Sequence, residues 1–293
     1  YQYHADLYSH ILISNAAGQI DGEITDSDVA RAPAALSRDY ESAARFSRTT
    51  GHRGNALFDS AMLFRHWRGL DMLATQNAGL PGCDPALWLH LAAPLSSNPE
   101  ALLGAFHQMA TCDPLRVRPM VHTVGINLWL GQIGQAIADA RRGLAKTEHP
   151  SLSRHLAMSL ALSGRHDDAA AAANSMIRSE DELLSAQSIL AAIRGDADAA
   201  SQYQDRYLAR YGPDDKQALV LEAARGNLGE ANRLAAGIDA RPFGHIVLLQ
   251  AVYYCLCGAP FDLEATPAFA GLLADSGLAW PPTKPFDFPL KEW

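Results

Sequence analysis

The chain has 293 residues, with 24 Lys and Arg against 32 Asp and Glu, a formal net charge of −8 and 48% hydrophobic residues. That is apolar enough for a sizeable core, and the 19% of charged residues is too few for a disordered chain. With no long basic run, it argues against direct binding to DNA, RNA or an anionic membrane, where Lys and Arg meet phosphates. No apolar run reaches the ~18 residues that span a bilayer, and no signal peptide is visible. The first residue is Tyr1 rather than Met, which implies a fragment or a processed product.

Alanine is abundant and β-branched residues are sparse, which favours helices because Ala loses no side-chain rotamers on entering one. No segment alternates over strand length. In chain order the pattern predicts helices at 2–16, 28–48, 53–64, 67–78, 84–93, 98–111, 115–130 and 133–147. Further helices are predicted at 150–163, 166–178, 181–194, 197–211, 214–225, 228–238, 243–257 and 263–276. The stretch 18–26 reads as a loop after an N-terminal capping helix. The tail, 279–293, alternates Pro281, Pro282, Pro285 and Pro289 with Trp280, Phe286, Phe288 and Trp293. Its prolines forbid a helix, and its aromatics suggest an extended strap over the last helices.

An internal repeat organises the middle of the chain. Glycines recur at Gly131, Gly164, Gly195 and Gly226, at spacings of 33, 31 and 31 residues, each after an apolar helical stretch. Five residues after each stands an alanine: Ala136, Ala169, Ala200 and Ala231. A glycine in that place can end a helix in the left-handed conformation, and the alanine lets the next helix cross closely. Cys83-Asp84-Pro85 and Cys112-Asp113-Pro114 mark earlier boundaries, with Asp as helix cap and Pro in the first turn.

At these residues the chain resembles the tetratricopeptide repeat family. The strongest match is Leu162-Ser163-Gly164-Arg165-His166-Asp167-Asp168-Ala169, and Gly226-Asn227-Leu228-Gly229-Glu230-Ala231 is a second. The chain departs from the family in the first helix, where a small residue is usual seven before the glycine. Val124, Ala157, Ser188 and Leu219 stand there. The aromatic usual nine after the glycine is replaced by Ala140, Ala173, Gln204 and Ala235. The segments 64–70, 81–83 and 255–267, with Trp280-Pro281-Pro282, also resemble the C-terminal region of proteobacterial multidomain signalling and transcription-regulator-like proteins. In those proteins such a region follows an N-terminal module, often of winged-helix type.

The resemblance implies an all-α fold, an α-α superhelix of about 7–8 helix pairs. It divides into an N-terminal cap (1–27), degenerate repeats (28–112), clearer repeats (113–278) and the strap (279–293), as one continuous domain. It implies a scaffold that holds a protein or peptide partner on its concave face, lined by the first helix of each pair. Aligned on the glycines, the inward positions include Val121, Arg154, Ser185 and Lys216, ten before the glycine, and Arg118, Ser151 and Glu182, thirteen before. Arg118, Arg154 and Lys216 could form a basic ladder suited to a carboxylate or acidic peptide, and Glu182 belongs to the same expected surface. The competing readings are a small-molecule-sensing helical domain and an enzyme whose site is hidden.

No catalytic, metal or cofactor site is expected. No H-x-x-x-H, H-E-x-x-H, G-x-S-x-G or phosphate loop is present, and the eleven histidines read as surface or helix-end residues. Asp167-Asp168 and Asp214-Asp215 fall in first turns, where negative charge meets the helix dipole favourably. Trp67, Trp88 and Trp129 read as core. All four cysteines read as buried free thiols. Cys255 and Cys257 would point to different faces of one helix, so no disulfide framework is expected. That favours the cytoplasm, with the periplasmic part of a membrane-anchored protein as the alternative.

Overall fold

A computed structural model of the chain describes residues 9, 11–13, 26–46, 50–80, 83, 86–114, 116–176, 180–211, 215–255 and 259–280. It is all-α, and no strand occurs among the described residues. After a helical stretch at 11–13 come α1 (Asp26–Phe46), α2 (Thr50–Leu63) and α3 (Leu70–Ala78), then a 3-10 turn, Leu89–Leu95. The next helices are α4 (Pro99–Cys112), α5 (Val117–Trp129), α6 (Ile133–Leu144), α7 (Pro150–Leu162) and α8 (His166–Asn174). They continue as α9 (Glu180–Ile193), α10 (Ala197–Tyr211), α11 (Asp215–Ala224), α12 (Leu228–Asp239) and α13 (Gly244–Cys255). A second 3-10 turn, Leu263–Ala265, leads into α14 (Pro267–Ser276).

The repeat marks do the local work expected of them. Gly131, Gly164, Gly195 and Gly226 all take positive φ, between 70° and 79°. The residue after each glycine donates its N–H back to the preceding helix: Gln132 to Asn127, Arg165 to Leu160, Asp196 to Ala191 and Asn227 to Glu222. These bonds close the helix ends in the left-handed C-terminal motif. Ala136, Ala169, Ala200 and Ala231 are all buried, as are Ala140, Ala173, Gln204 and Ala235. With Ala at the second of these positions in three of the four units, paired helices approach closely.

Successive helices pack as hairpins, α5 on α6, α7 on α8, α9 on α10 and α11 on α12. The first member of each pair also packs on the next first member, so α5, α7, α9, α11 and α13 form one row. The row curls back on itself. Trp129 at the end of α5 donates its indole N–H to the carbonyl of Tyr253 in α13, at 3.0 Å. A Cβ added at Gly125 would lie 2.3 Å from the Tyr253 hydroxyl oxygen, so glycine permits this approach of α5 and α13. The 3-10 turn Leu89–Leu95 packs against both helices. Polar links tie pairs together: Asn127 to Asp139 at 2.8 Å, and Ser188 to the carbonyl of Ala200 at 3.0 Å.

The N-terminal helices complete the seam. Trp67, fully buried, stands edge-on to His245 and Phe269, and Phe64 meets Phe243. Arg65 donates to the carbonyl of Ala268 at 2.6 Å, and Asp239 accepts the backbone N–H groups of Ala268 and Phe269. One hydrophobic cluster therefore runs from Leu12 to Leu273. Trp67, Trp88 and Trp129 are all buried in it, as expected.

Three expectations need correction. Of the helix predicted at 84–93, the described residues form only a 3-10 turn, Leu89–Leu95. The Asp59 carboxylate also accepts the N–H groups of Leu87 and Trp88, fixing a bend instead of a first helical turn. The 263–276 helix starts only at Pro267. The cysteines are not free thiols. Cys83 and Cys112 form a disulfide, their Cα atoms 5.6 Å apart. Cys255 is disulfide-bonded as well. The reading of Cys257 lies outside the described residues. Most of the N-terminal cap, the 18–26 loop and the strap beyond Trp280 lie outside the described residues. Trp280 itself stacks on Phe261, ring centroids 5.3 Å apart.

Candidate functional site: a pocket inside the curl

Curling the row turns its inner face into a cavity of about 260 Å³. All five first helices reach it. Val121 comes from α5, Arg154 and His155 from α7, Glu182 and Ser185 from α9, Lys216 and Val220 from α11, and Tyr254 from α13. The register that the glycines set places Val121, Arg154, Ser185 and Lys216 on one level, with Ser151 and Glu182 a turn away. Of the residues singled out in the sequence, Arg154, Glu182 and Lys216 line this cavity.

Arg118 does not line it. Its guanidinium donates to the carbonyl of Leu87, which fastens α5 to the segment leading into the 3-10 turn. The expected ladder of three cations is therefore broken at its first rung. It is also offset at the second: Arg154 pairs with Glu182 at 3.2 Å, both side chains mostly shielded. The guanidinium lies over the ring of Tyr254, 5.5 Å from its centroid. Arg154 Nε is buried and has no hydrogen-bond partner among the described residues. Ser151 donates to Glu182 at 3.4 Å, and Gln217 donates to Ser185 at 2.6 Å.

The histidines correct a further expectation. His90, His122, His155 and His245 are buried in the core rather than set at surface or helix ends. His90 on the 3-10 turn and His122 on α5 stack with ring centroids 3.9 Å apart, and His90 stands edge-on to Tyr253. Each leaves Nδ1 without a partner among the described residues. Burial, reinforced by neighbouring cations, holds both imidazoles well below the usual histidine range. Arg118 acts on His90, while His90 and then Arg118 act on His122. Burial, then Arg154, pushes His155 down to about 4, and burial pushes His245 down to about 4. Burial raises Tyr253 well above its ordinary value, and Tyr254 rises for the same first reason. The rings that face the pocket are thus neutral beside the Arg154–Glu182 pair.

No sequence signal identified this His–Tyr seam, because its members lie far apart in the chain and share no spacing. Asp167 and Asp168 do sit in the first turn of α8, where they meet the helix dipole. Among the described residues, no group of three or more His, Cys, Asp or Glu is placed to hold a metal ion. Among them, no helix is long and apolar enough to cross a membrane.

Compared with known proteins, the chain matches no family model, no curated protein and no solved structure.

Proposed function

We propose that this chain is a binding module of tetratricopeptide type whose curled inner face holds an acidic segment of a protein or peptide partner. The single observation that carries the reading is the convergence of five helices on one polar pocket containing Arg154, Lys216 and Glu182. A row of repeated helices exposes equivalent positions on one face, which is how such arrays present a binding surface. Of the concave-face residues read from the glycine register, Val121, Ser151, Arg154, Glu182, Ser185 and Lys216 meet there, and Arg118 does not. The reading makes the chain a holder rather than a catalyst, the sensory part of a larger bacterial regulatory protein. Direct contact with nucleic acid falls to other parts of such a protein. The disulfide bonding of Cys83, Cys112 and Cys255 supports an oxidising compartment, hence the periplasmic placement in place of the cytoplasmic one.

The test is a peptide selection. A random peptide pool is selected against the immobilised chain, and the enriched peptides are titrated into the parent and into a variant carrying Arg154→Ala and Lys216→Ala. The reading expects enrichment of carboxylate-bearing peptides and at least tenfold weaker binding to the variant, with its melting temperature held near the parent's. Peptides that bind both proteins equally would remove the inner face as the binding surface.

The pocket's size favours a second reading. At about 260 Å³ it lies just under the ~300–1,000 Å³ of pockets for drug-sized ligands, so a small-molecule sensor is also supported. A metabolite screen by thermal shift tests it, and a broad screen with no stabilising compound counts against it.

A further inference from the structure

Val121 on α5 and Tyr254 on α13 line the cavity. Their chain neighbours, His122 and Tyr253, meet His90 of the 3-10 turn in the seam behind that wall. We propose that the stacked His90 and His122 rings are a proton-operated latch, which in acid parts the 3-10 turn from α5 and opens the wall of the pocket while the repeats stay folded.

The contact is built against a proton. The rings lie face to face, centroids 3.9 Å apart and 21° from parallel, beside Phe106 and Tyr253. Both residues are buried, and Nδ1 of each has no partner among the described residues. A neutral imidazole keeps one nitrogen as an acceptor, whereas an imidazolium donates from both. A proton on either ring would therefore create a buried cation whose Nδ1–H meets no acceptor, which is costly unless water reaches it.

The neighbouring charges add to that cost. Arg118, one turn before His122, acts against protonation of both rings, and His155 on α7 acts against that of His122. The Leu87 carbonyl favours a proton on His90, but the Arg118 guanidinium already donates to it. The carboxylates on the surrounding helices are engaged elsewhere. Asp59 on α2 accepts from the N–H groups of Leu87 and Trp88, and Asp71 on α3 accepts from Ser96 and Ser97. Asp139 on α6 accepts from Asn127 and Gln135, with Arg142 beside it. Glu100 and His107 on α4 are exposed. Arg154 on α7 is paired with Glu182, Tyr253 and Tyr254 on α13 stay neutral through burial, and His245 lies against Trp67 at the other end of α13.

Closed, the pair holds no added proton; open to water, each ring takes one near the ordinary ~6.5. The open form binds up to two more protons, so acid favours it by up to about a hundredfold per pH unit below that value. Asp59 and Asp71 hold the two ends of the 3-10 turn to α2 and α3, so the face that parts is the one toward α5 and α13. There the Trp129 indole leaves the Tyr253 carbonyl it now donates to, and Tyr254 leaves the edge of the pocket.

The test is hydrogen exchange on the whole chain at ~pH 7 and ~pH 5, where carboxylates stay ionised, with rates corrected for the intrinsic pH dependence of amide exchange. The proposal expects protection in the 3-10 turn and α13 to fall at least tenfold relative to α8 and α10. A variant carrying His90→Phe and His122→Phe keeps two stacked rings and removes both titrations, and it should hold its protection in acid. If that variant does not fold, His122→Phe alone should weaken the pH response, and the parent's own exchange pattern decides if neither folds. Protection lost equally in all helices, protection unchanged by acid, or a double variant that opens as the parent does would overturn the latch. Selected peptides that stay on a parent whose seam has opened would instead remove the inner face as their binding surface, and the latch would stand.

Discussion

The repeat region from α5 to α12 and the seam that closes the curl are built by different rules. In the repeat region each unit is stabilised by near neighbours: a left-handed glycine, a buried alanine five residues on, and a polar link within a hairpin. The seam is built from described residues of 50–95 and 239–280, joined by Trp67, His245, Phe269, Arg65 and Asp239. It contains large aromatic and ionisable groups where the repeats contain alanine. The comparison teaches that local repetition builds the wall of the pocket, whereas long-range and chemically more varied contacts decide that the wall closes. The seam should therefore be the sensitive half, to mutation, to acid and to reductant.

Acid gives the largest effect, and it reaches His122 on α5 and His155 on α7 in the repeat region as well as His90 and His245 in the seam. A histidine whose folded-state pKa is depressed favours the folded protein above its unfolded value of ~6.5, and that stability is lost as pH falls. For His155 and His245 the loss begins near pH 6.5 and is complete near their folded values of about 4. Each contributes up to about 3 kcal/mol at ~1.4 kcal/mol per unit, and His90 and His122 act in the same direction. Urea melts between pH 7 and pH 4 should show a drop of several kcal/mol. Replacing His245 by Gln should flatten that drop. A pH-independent midpoint would show that the imidazoles are not buried.

Truncating Trp67 to Ala comes next. It removes a fully buried indole at the junction of both ends, and such deletions cost about 3–5 kcal/mol. Hydrogen exchange should show the loss concentrated in α13 and α14, with α7 to α10 retaining their protection. Uniform loss would mean that the two regions are not separable.

Reduction of the Cys83–Cys112 bond should cost about 2–4 kcal/mol, the usual range for a bridge closing a loop of this order. It should loosen the 3-10 turn that carries His90 before it affects the repeats. A melting temperature unmoved by reductant would contradict this. The smallest effect belongs to the repeat half. Gly164→Ala forces a Cβ into φ +79°, at about 1–2 kcal/mol, and nothing lies near that Cβ to add to the strain. A larger cost would mean that the repeats are less modular than their local contacts indicate.

What was legible in the sequence follows the same division. The glycine period and the alanine offset are local, so helices α5 to α12 could be placed within a few residues, and the register that brings Arg154, Lys216 and Glu182 to one face could be counted. The seam was not legible. His122 and Tyr253 lie on helices predicted correctly, yet nothing in either helix says that they meet. Arg118 fits the inward register as well as Arg154 does, but the Leu87 carbonyl takes it elsewhere. The disulfide escaped for the same reason: two Cys-Asp-Pro triplets mark unit boundaries, and only the folded path of the intervening segment brings their Cα atoms to 5.6 Å.

The closure of the row is the central claim, because the pocket exists only if α13 returns to α5. Small-angle X-ray scattering tests it most directly. A 293-residue chain curled into one body should give a radius of gyration near ~19 Å, with an intraparticle distance distribution that is single-peaked. An elongated distribution with a radius well above that value would show an open row, and with it no pocket among the five helices.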